Sequence, residues 1–407
     1  MKPIEKGTLQ MLTLQKIKDA QKTIASDIRK TDLLLATKIP SQNQIYLKTE
    51  NLQVTGSFKA RGAAYKISQL TDEEKARGII ACSAGNHAQG VARAAQKKGI
   101  KCTICMPDVA PLSKVEATKS YGAEVVLVKD TYDDAHAKAV ELQKETGATF
   151  VHPFNDEDVI AGQGTIGLEI LEQLPEVDAV ITSIGGGGLI SGLACAIKNI
   201  KPQCKIYGVQ AANAPAMHHS FKERHIVTTT NADTFADGIA VKEPGDLTYN
   251  YINKYVDDIV LVTEDEIATA VLMLLEKEKV VSEGAGAASV AAAYFNKFNL
   301  EGKNIVCVVS GGNIDVNILS RVMVRGLIMS GRRTTFTIAL PDKPGQLERV
   351  AAVISKGGGN VIDVYHSNSD ITMPINSCFL RVTIETRDAS HSNQIREALL
   401  SSGLIPL

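Results

Sequence analysis

Covalent chemistry is first legible in the segment Thr55-Gly56-Ser57-Phe58-Lys59-Ala60-Arg61-Gly62-Ala63, where a lysine stands largely among small, apolar and hydroxyl side chains. A protonated amine is a poor nucleophile. Partial burial lowers its pKa and frees the lone pair that bond formation with a carbonyl requires. The flanking glycines let backbone come close to a flat ligand. The same residues also describe a surface lysine ahead of a helix, so this stretch alone leaves both readings open.

A second segment, Ile184-Gly185-Gly186-Gly187-Gly188-Leu189, follows a long apolar run and opens a helical pattern. Bare N–H groups at a helix N-terminus, where the dipole is positive, make a cradle for an anion. No Lys-Ser/Thr follows and the dinucleotide spacing is absent, so a monophosphate fits better than a pyrophosphate; a tightly packed glycine turn is the alternative. Ser83-Ala84-Gly85-Asn86-His87 lies at another strand-to-helix junction. Ser83, Asn86 and nearby N–H groups suit a carboxylate or a ring hydroxyl, or else Ser83 or Asn86 is a helix cap. His87 reads as a general base or a structural histidine. Ser310-Gly311-Gly312-Asn313 ends a further apolar run, where open α/β sheets place ligands. Ser282-Glu283-Gly284 adds a carboxylate that also reads as a solvated glutamate before a helix. An amine for an aldehyde, a glycine loop for one phosphate and a serine for a ring nitrogen converge on pyridoxal 5'-phosphate.

These segments need a scaffold that ends strands beside helix starts. Apolar strand patterns at 78–83, 103–106, 123–128, 148–152, 177–184, 206–209 and 305–309 alternate with helical ones at 86–98, from 111 and at 132–145. That alternation predicts a parallel α/β architecture. An amphipathic helix is expected over 12–30 and a short strand at 46–48. After Arg332-Arg333 the pattern becomes half-buried alternation in the order βαββα, which predicts a small α+β domain. The boundary is placed at 330, giving domains 1–330 and 331–407. The chain has 407 residues, 44% of them hydrophobic, and a formal charge of −1. Such balance argues against nucleic acid as a partner. No apolar run is long enough to span a membrane and residues 1–30 hold no secretory apolar core. Seven cysteines include Cys102 and Cys105 at a metal or redox spacing, but no second pair or histidine cluster accompanies them. Reduced thiols in the cytoplasm are the expectation.

Residues from about 20 to 325 resemble the threonine/serine dehydratase branch of the tryptophan-synthase-β-like (fold type II) pyridoxal-phosphate enzymes, through the lysine, Ser83–His87, tetraglycine and Ser310–Asn313 motifs in order and spacing. The last 75 or so residues resemble an ACT domain, with its Asp342-Lys343-Pro344-Gly345-x-Leu347 turn. The resemblance implies a two-lobed core, the smaller lobe at about 56–155 being inserted in the larger, and a ferredoxin-like ACT domain behind it. It implies that Lys59 holds the cofactor and moves protons, and that Phe58 packs beside it. Asn86 would bond the phenolic oxygen, and Gly185, Gly186, Gly187, Gly188 and Leu189 would cradle the phosphate. Ser310 would contact the pyridine nitrogen, while Ser83, Asn86, His87 and Asn155 would receive the substrate carboxylate. The implied activity is deamination of L-threonine to 2-oxobutanoate, with L-serine as a side substrate, feeding isoleucine biosynthesis. Serine dehydratase, serine racemase and a non-catalytic amino-acid sensor are the alternatives. Racemases carry a second serine where this chain has Ala84, which cannot exchange a proton. Metal-activated relatives carry acids where this chain has Gln210 and Ala216, so no metal is expected. Asp342, Lys343, Gly345 and Leu347 would bind an effector (isoleucine, valine or AMP), in a homodimer or homotetramer.

Overall fold

Apolar runs set between helices become parallel strands, because only strands buried on both faces can be apolar throughout. The computed structural model describes residues 12–368 and 374–406; residues 1–11 of the stretch read for a secretory leader lie outside them. In chain order the strands are β1 (Leu33–Leu35), β2 (Gln44–Lys48), β3 (Ile79–Cys82), β4 (Cys102–Pro107), β5 (Glu124–Val128), β6 (Thr149–Phe150), β7 (Ala179–Ser183), β8 (Lys205–Ala211), β9 (Asp258–Val262), β10 (Asn304–Val308), β11 (Arg333–Pro341), β12 (Asn360–Ser367) and β13 (Ser377–Glu385). The chain divides into two compact units, one ending at Val316 and one starting at Asn317. The helix Val316–Met329 therefore falls with the second unit, whereas the sequence boundary at 330 left it with the first.

Among the described residues the first unit holds two sheets. The larger has the order β1-β2-β10-β7-β8-β9, and the smaller has the order β5-β4-β3-β6. All pairings are parallel except that of β1 with β2. The smaller sheet comes from one continuous stretch, while strands from before and after it build the larger. Every residue of β7 is buried, and Val180, Ile184, Leu189, Ile190, Leu193 and Val306 pack in one core beside it. Three local differences from the sequence pattern have physical causes. The first helix is Leu14–Ile24 and not 12–30, because the Arg29 N–H and C=O are both bonded to the Gln53 amide. The fourth apolar run yields only Thr149–Phe150, although the Val151 N–H still reaches the Ile80 carbonyl at 2.9 Å. Cys102 and Cys105 lie on β4, where side chains alternate, and they join different core clusters on its two sides. They cannot chelate one ion together. All seven cysteines are free and buried. Among the described residues no helix is long and apolar enough to cross a membrane.

The second unit has a three-stranded antiparallel sheet, β11-β13-β12, as the alternating pattern predicts. Phe336, Ile338, Leu340, Leu380 and Val382 meet Val350 and Ile354 of the helix Gln346–Lys356 and Ile395 and Leu399 of the helix Ala389–Ser401.

Within the first unit, a buried ion network fixes the helix Lys59–Ser68, which starts at the reactive-looking lysine. Arg61 is fully buried and grips Glu50 with two bonds of 2.8 Å and Glu169 with bonds of 2.7 and 2.9 Å. Lys48 completes the group, donating to Glu169 at 2.7 Å and to the Thr31 carbonyl at 2.6 Å. Two cations and two anions cancel. Burial opposes charge on Arg61, but Glu50 and Glu169 outweigh it and hold the guanidinium charged. Each partner comes from a different element: Lys48 from the end of β2, Glu50 from the turn after it and Glu169 from the helix Glu157–Gln173. Removing one member of such a group strands the others without water. We expect Arg61→Ala to lose about 3–5 kcal/mol of stability, read as a fall in the urea midpoint. A loss near that of a surface substitution would contradict a central role for the network.

Candidate active site

Lys59 and Arg61 are two residues apart, so on a helix they leave the axis in nearly opposite directions. Arg61 enters the ion network, and Lys59 faces the other way. The Lys59 Nζ donates to the Pro153 carbonyl at 2.7 Å and stands 5.3 Å from the centroid of the Phe58 ring. Burial pushes the Lys59 pKa down to about 8, against a smaller upward pull from Glu283. The surface-lysine alternative therefore fails.

The lysine segment is tied to the serine loop by backbone. The Phe58 N–H donates to the Ser310 carbonyl at 3.1 Å, and the Gly312 N–H donates to the Gly56 carbonyl at 2.9 Å. Gly56 holds φ +71°, a left-handed conformation suited to glycine. Ser310, just beyond β10, is buried with its hydroxyl 3.4 Å from that of Ser183. Both groups are neutral.

Asn86 and the serine loop also share side-chain bonds. Asn86 Nδ2 donates to Glu283 Oε1 at 2.7 Å, and Asn86 Oδ1 accepts from Asn313 at 2.8 Å. One N–H of the Asn86 amide remains for a ligand oxygen. Glu283 is buried and not solvated. Burial and the neighbouring Asp237 raise its pKa to about 7, while Lys114, Asn86 and Lys59 pull the other way. The helix Asn86–Lys98 has Gly85 at its N-cap and no side-chain cap bond, so neither Ser83 nor Asn86 caps it. Ser83 instead accepts from the Gly85 N–H at 3.2 Å. Thr13, Thr71, Thr131, Asp156, Thr263 and Asp388 do cap helices elsewhere. The leading N–H groups of Asn86 and His87 thus have no helical partner, as a carboxylate site requires.

The His87 ring is buried with Nε2 2.8 Å from the Val151 carbonyl, and burial together with Lys59 lowers its pKa to about 3. As a donor to that carbonyl, Nε2 carries the proton, which leaves Nδ1 an acceptor. The ring can neither act as a useful base nor donate to a carboxylate. What His87 offers is its backbone N–H.

The glycine loop joins β7 to the helix Gly188–Ile200, whose N-cap Gly187 has φ +97° and no side-chain cap bond. A Cβ on Gly186 would meet the Phe154 ring at 2.3 Å, and one on Gly187 would meet Thr248 at 2.9 Å. Bare backbone is therefore the only lining this turn accommodates. Helix geometry leaves the N–H groups of its first turn, through Leu189, without partners. These residues fit a single phosphate. The Thr248 hydroxyl braces the loop, 2.6 Å from the Gly186 carbonyl.

One short strip, His152-Pro153-Phe154-Asn155, links lysine to loop. Pro153 receives the lysine amine and Phe154 packs under the glycines. His152 Nδ1 accepts the Phe154 and Asn155 N–H groups at 3.2 and 2.8 Å, and burial lowers its pKa to about 4, so it stays neutral. Asn155 Nδ2 donates to Asp246 at 2.7 Å and Oδ1 accepts from the Leu247 N–H at 3.1 Å. Its amide braces the loop's surroundings, and contact with a substrate would require it to change partners. Of this strip only Asn155 carried a sequence signal. Gln210 accepts from the His218 N–H at 2.7 Å and donates to the Ile184 carbonyl at 3.2 Å, so its amide is a backbone brace. In the second unit, Asp342 and Lys343 lie in the turn after β11, Gly345 takes φ +88° ahead of the helix Gln346–Lys356, and Leu347 is exposed.

Comparison with known proteins places this geometry among relatives. The model of the family "Pyridoxal-phosphate dependent enzyme" matches residues 24–311. An L-threonine ammonia-lyase of Thermotoga maritima is 48% identical over 97% of this chain and 98% of its own. One of Geobacter sulfurreducens is 44% identical over 97% and 99%. Among solved structures, threonine deaminase isoform 2 of Solanum lycopersicum superposes with a TM-score of 0.74 at 38% identity, covering 80% of this chain and 93% of that one. Maize serine racemase gives 0.74 at 37%, covering 78% and 98%.

Lys59 and Glu283 should titrate together. In the cofactor-free protein, trace labelling with an amine reagent is expected to show Lys59 losing its proton near pH 8. Glu283→Gln removes a charge that holds the proton on, and so moves that midpoint lower. A Lys59 midpoint in the ordinary lysine range, or one that rises in the variant, would contradict the coupling.

Proposed function

This chain belongs to the pyridoxal-phosphate-dependent enzyme family, and from that premise we propose that it converts L-threonine to 2-oxobutanoate and ammonia. Water leaves across Cα and Cβ, and a second water later displaces ammonia, so the two waters cancel in the net reaction. The observation that carries the reading is a half-buried lysine amine bonded to the Pro153 carbonyl, with two helix N-termini near it that lack side-chain caps. The choice of threonine rests on the nearly full-length relatives.

When bound through Lys59, the cofactor supplies an electron sink that acidifies the substrate Cα–H. With the cofactor in place, the Lys59 amine would be the group positioned to take the proton from Cα and to deliver one to the departing β-hydroxyl. The first-turn N–H groups of Asn86 and His87, with Ser83, hold the substrate carboxylate. Gly185 to Gly188 and Leu189 would hold the phosphate. Ser310 would offer the ring nitrogen a neutral hydroxyl, which would not drive it to protonate and so would favour prompt loss of the β-hydroxyl. Asn86 would offer one amide hydrogen to the phenolic oxygen, while Glu283 takes up the other. Ala84 offers no proton from the opposite face, which separates the reaction from racemisation.

The same proposal assigns the C-terminal unit, about 331–407, an ACT-type regulatory role, with isoleucine or valine bound around Asp342, Lys343, Gly345 and Leu347. Assembly as a homodimer or homotetramer is part of it, supported by the edge strand β12, which leaves Val361, Ile362, Val364 and Tyr365 exposed. Its place of action is the cytoplasm, in keeping with seven free thiols.

Purified holoprotein is expected to form 2-oxobutanoate from L-threonine and, more slowly, pyruvate from L-serine; Lys59→Ala should lose at least a thousandfold in rate. D-serine accumulating faster than pyruvate would overturn the assignment of Ala84. Added isoleucine is expected to change the threonine rate of wild type and not that of Leu347→Glu; equal responses would remove the effector role.

A further inference from the structure

The second unit carries a cluster of side chains that the proposed reaction does not use, although one of them, Asp342, also belongs to the turn proposed for the effector. Asp342, His366 and Cys378 each present one ligand atom, and the three atoms lie within 4.8 Å of one another. The antiparallel register brings them together. Leu340 pairs with Cys378, and Leu380 pairs with His366, so all four occupy one face of the sheet. Asp342 follows Leu340 by two positions and continues that face past the end of β11. β12, β13 and the turn after β11 thus contribute one side chain each at a single end of the sheet. Asp342 and His366 are exposed while Cys378 is buried beneath them. The donors are a carboxylate oxygen, an imidazole nitrogen and a sulfur.

We propose that Asp342, His366 and Cys378 form a zinc site, three donors among the described residues toward the four that the metal takes. The donor set selects the metal. Calcium and magnesium take oxygen ligands, whereas sulfur with imidazole and one carboxylate suits zinc. Ligand atoms around tetrahedral zinc stand roughly 3.3–3.8 Å apart, given bonds of about 2.0–2.3 Å. Rotation of the two exposed side chains, His366 and Asp342, covers the difference. Asn368 Nδ2 lies 3.4 Å from Asp342 Oδ2, where it can orient the carboxylate. A bound ion would fasten β11, β12 and β13 at the end where the Asp342–Leu347 turn begins. The site departs from the expectation of no metal, and it stands independently of the reaction proposed for the first unit.

Full-length protein stripped with a chelator and desalted provides the test. Zinc titrated in competition with a chromophoric chelator, with metal content measured by mass spectrometry, should give one tight equivalent per chain. His366→Ala and Asp342→Asn, both at exposed positions, should each weaken it at least tenfold. Cobalt(II) in place of zinc should produce a near-ultraviolet thiolate charge-transfer band that Cys378→Ser abolishes. Cys378 belongs to the core, and should that variant not fold, the band must disappear in His366→Ala instead. Zinc binding equal in wild type and His366→Ala, or cobalt binding without a thiolate band, overturns the site.

Discussion

An amine that must react with an aldehyde near neutral pH has to shed its proton, and in this protein removal of water does that work. Lys59 is enclosed by its own helix, the Phe58 ring and the Pro153 carbonyl, and its pKa falls to about 8. A carbonyl accepts a hydrogen bond from the amine in either protonation state, so it positions the nitrogen without demanding charge. Glu283 is near enough to feel the same field, and its own pKa rises to about 7. The two groups thus feel each other's charge, each holding the other toward its ionised form.

Keeping such a pocket in one shape falls to elements that lie behind the reactive groups. Arg61, two residues from the lysine, is locked between Glu50 and Glu169, with Lys48 closing the charge balance. Those partners come from β2, the turn after it and the helix Glu157–Gln173, so the lysine helix is fastened to several elements at once. On the other side, His152 to Asn155 run from the lysine's carbonyl partner to the underside of the glycine loop. Such bracing lets binding energy go into orientation and not into ordering the site.

Much of this was legible in the residues because the chemistry lies in local motifs. A glycine run after an apolar strand has few meanings, and neither does a lysine followed by small helix formers. Parallel strands likewise declare themselves when every residue is apolar, as in β7. What escaped notice was set by tertiary contact. Glu283 looks like any solvated glutamate until the fold buries it against Asn86. Pro153 and Phe154 act through a carbonyl and a ring face, neither of which leaves a pattern. The His87 ring read as a base or a structural residue, and only the fold reveals that the Val151 carbonyl accepts the hydrogen bond from its Nε2. Strand periodicity excludes a joint role for Cys102 and Cys105, whereas it assembles Asp342, His366 and Cys378 from widely separated positions. Spacing within one strand misleads in the first case, and pairing between strands creates the second.

The central claim is that Lys59, among all the lysines of the chain, is where the cofactor is covalently held. Borohydride reduction of the holoprotein followed by peptide mass mapping tests it directly. The account predicts a pyridoxyl phosphate adduct on the peptide containing Lys59 and on no other. An adduct on a different lysine, or none on protein that has been loaded with the vitamer, would contradict it.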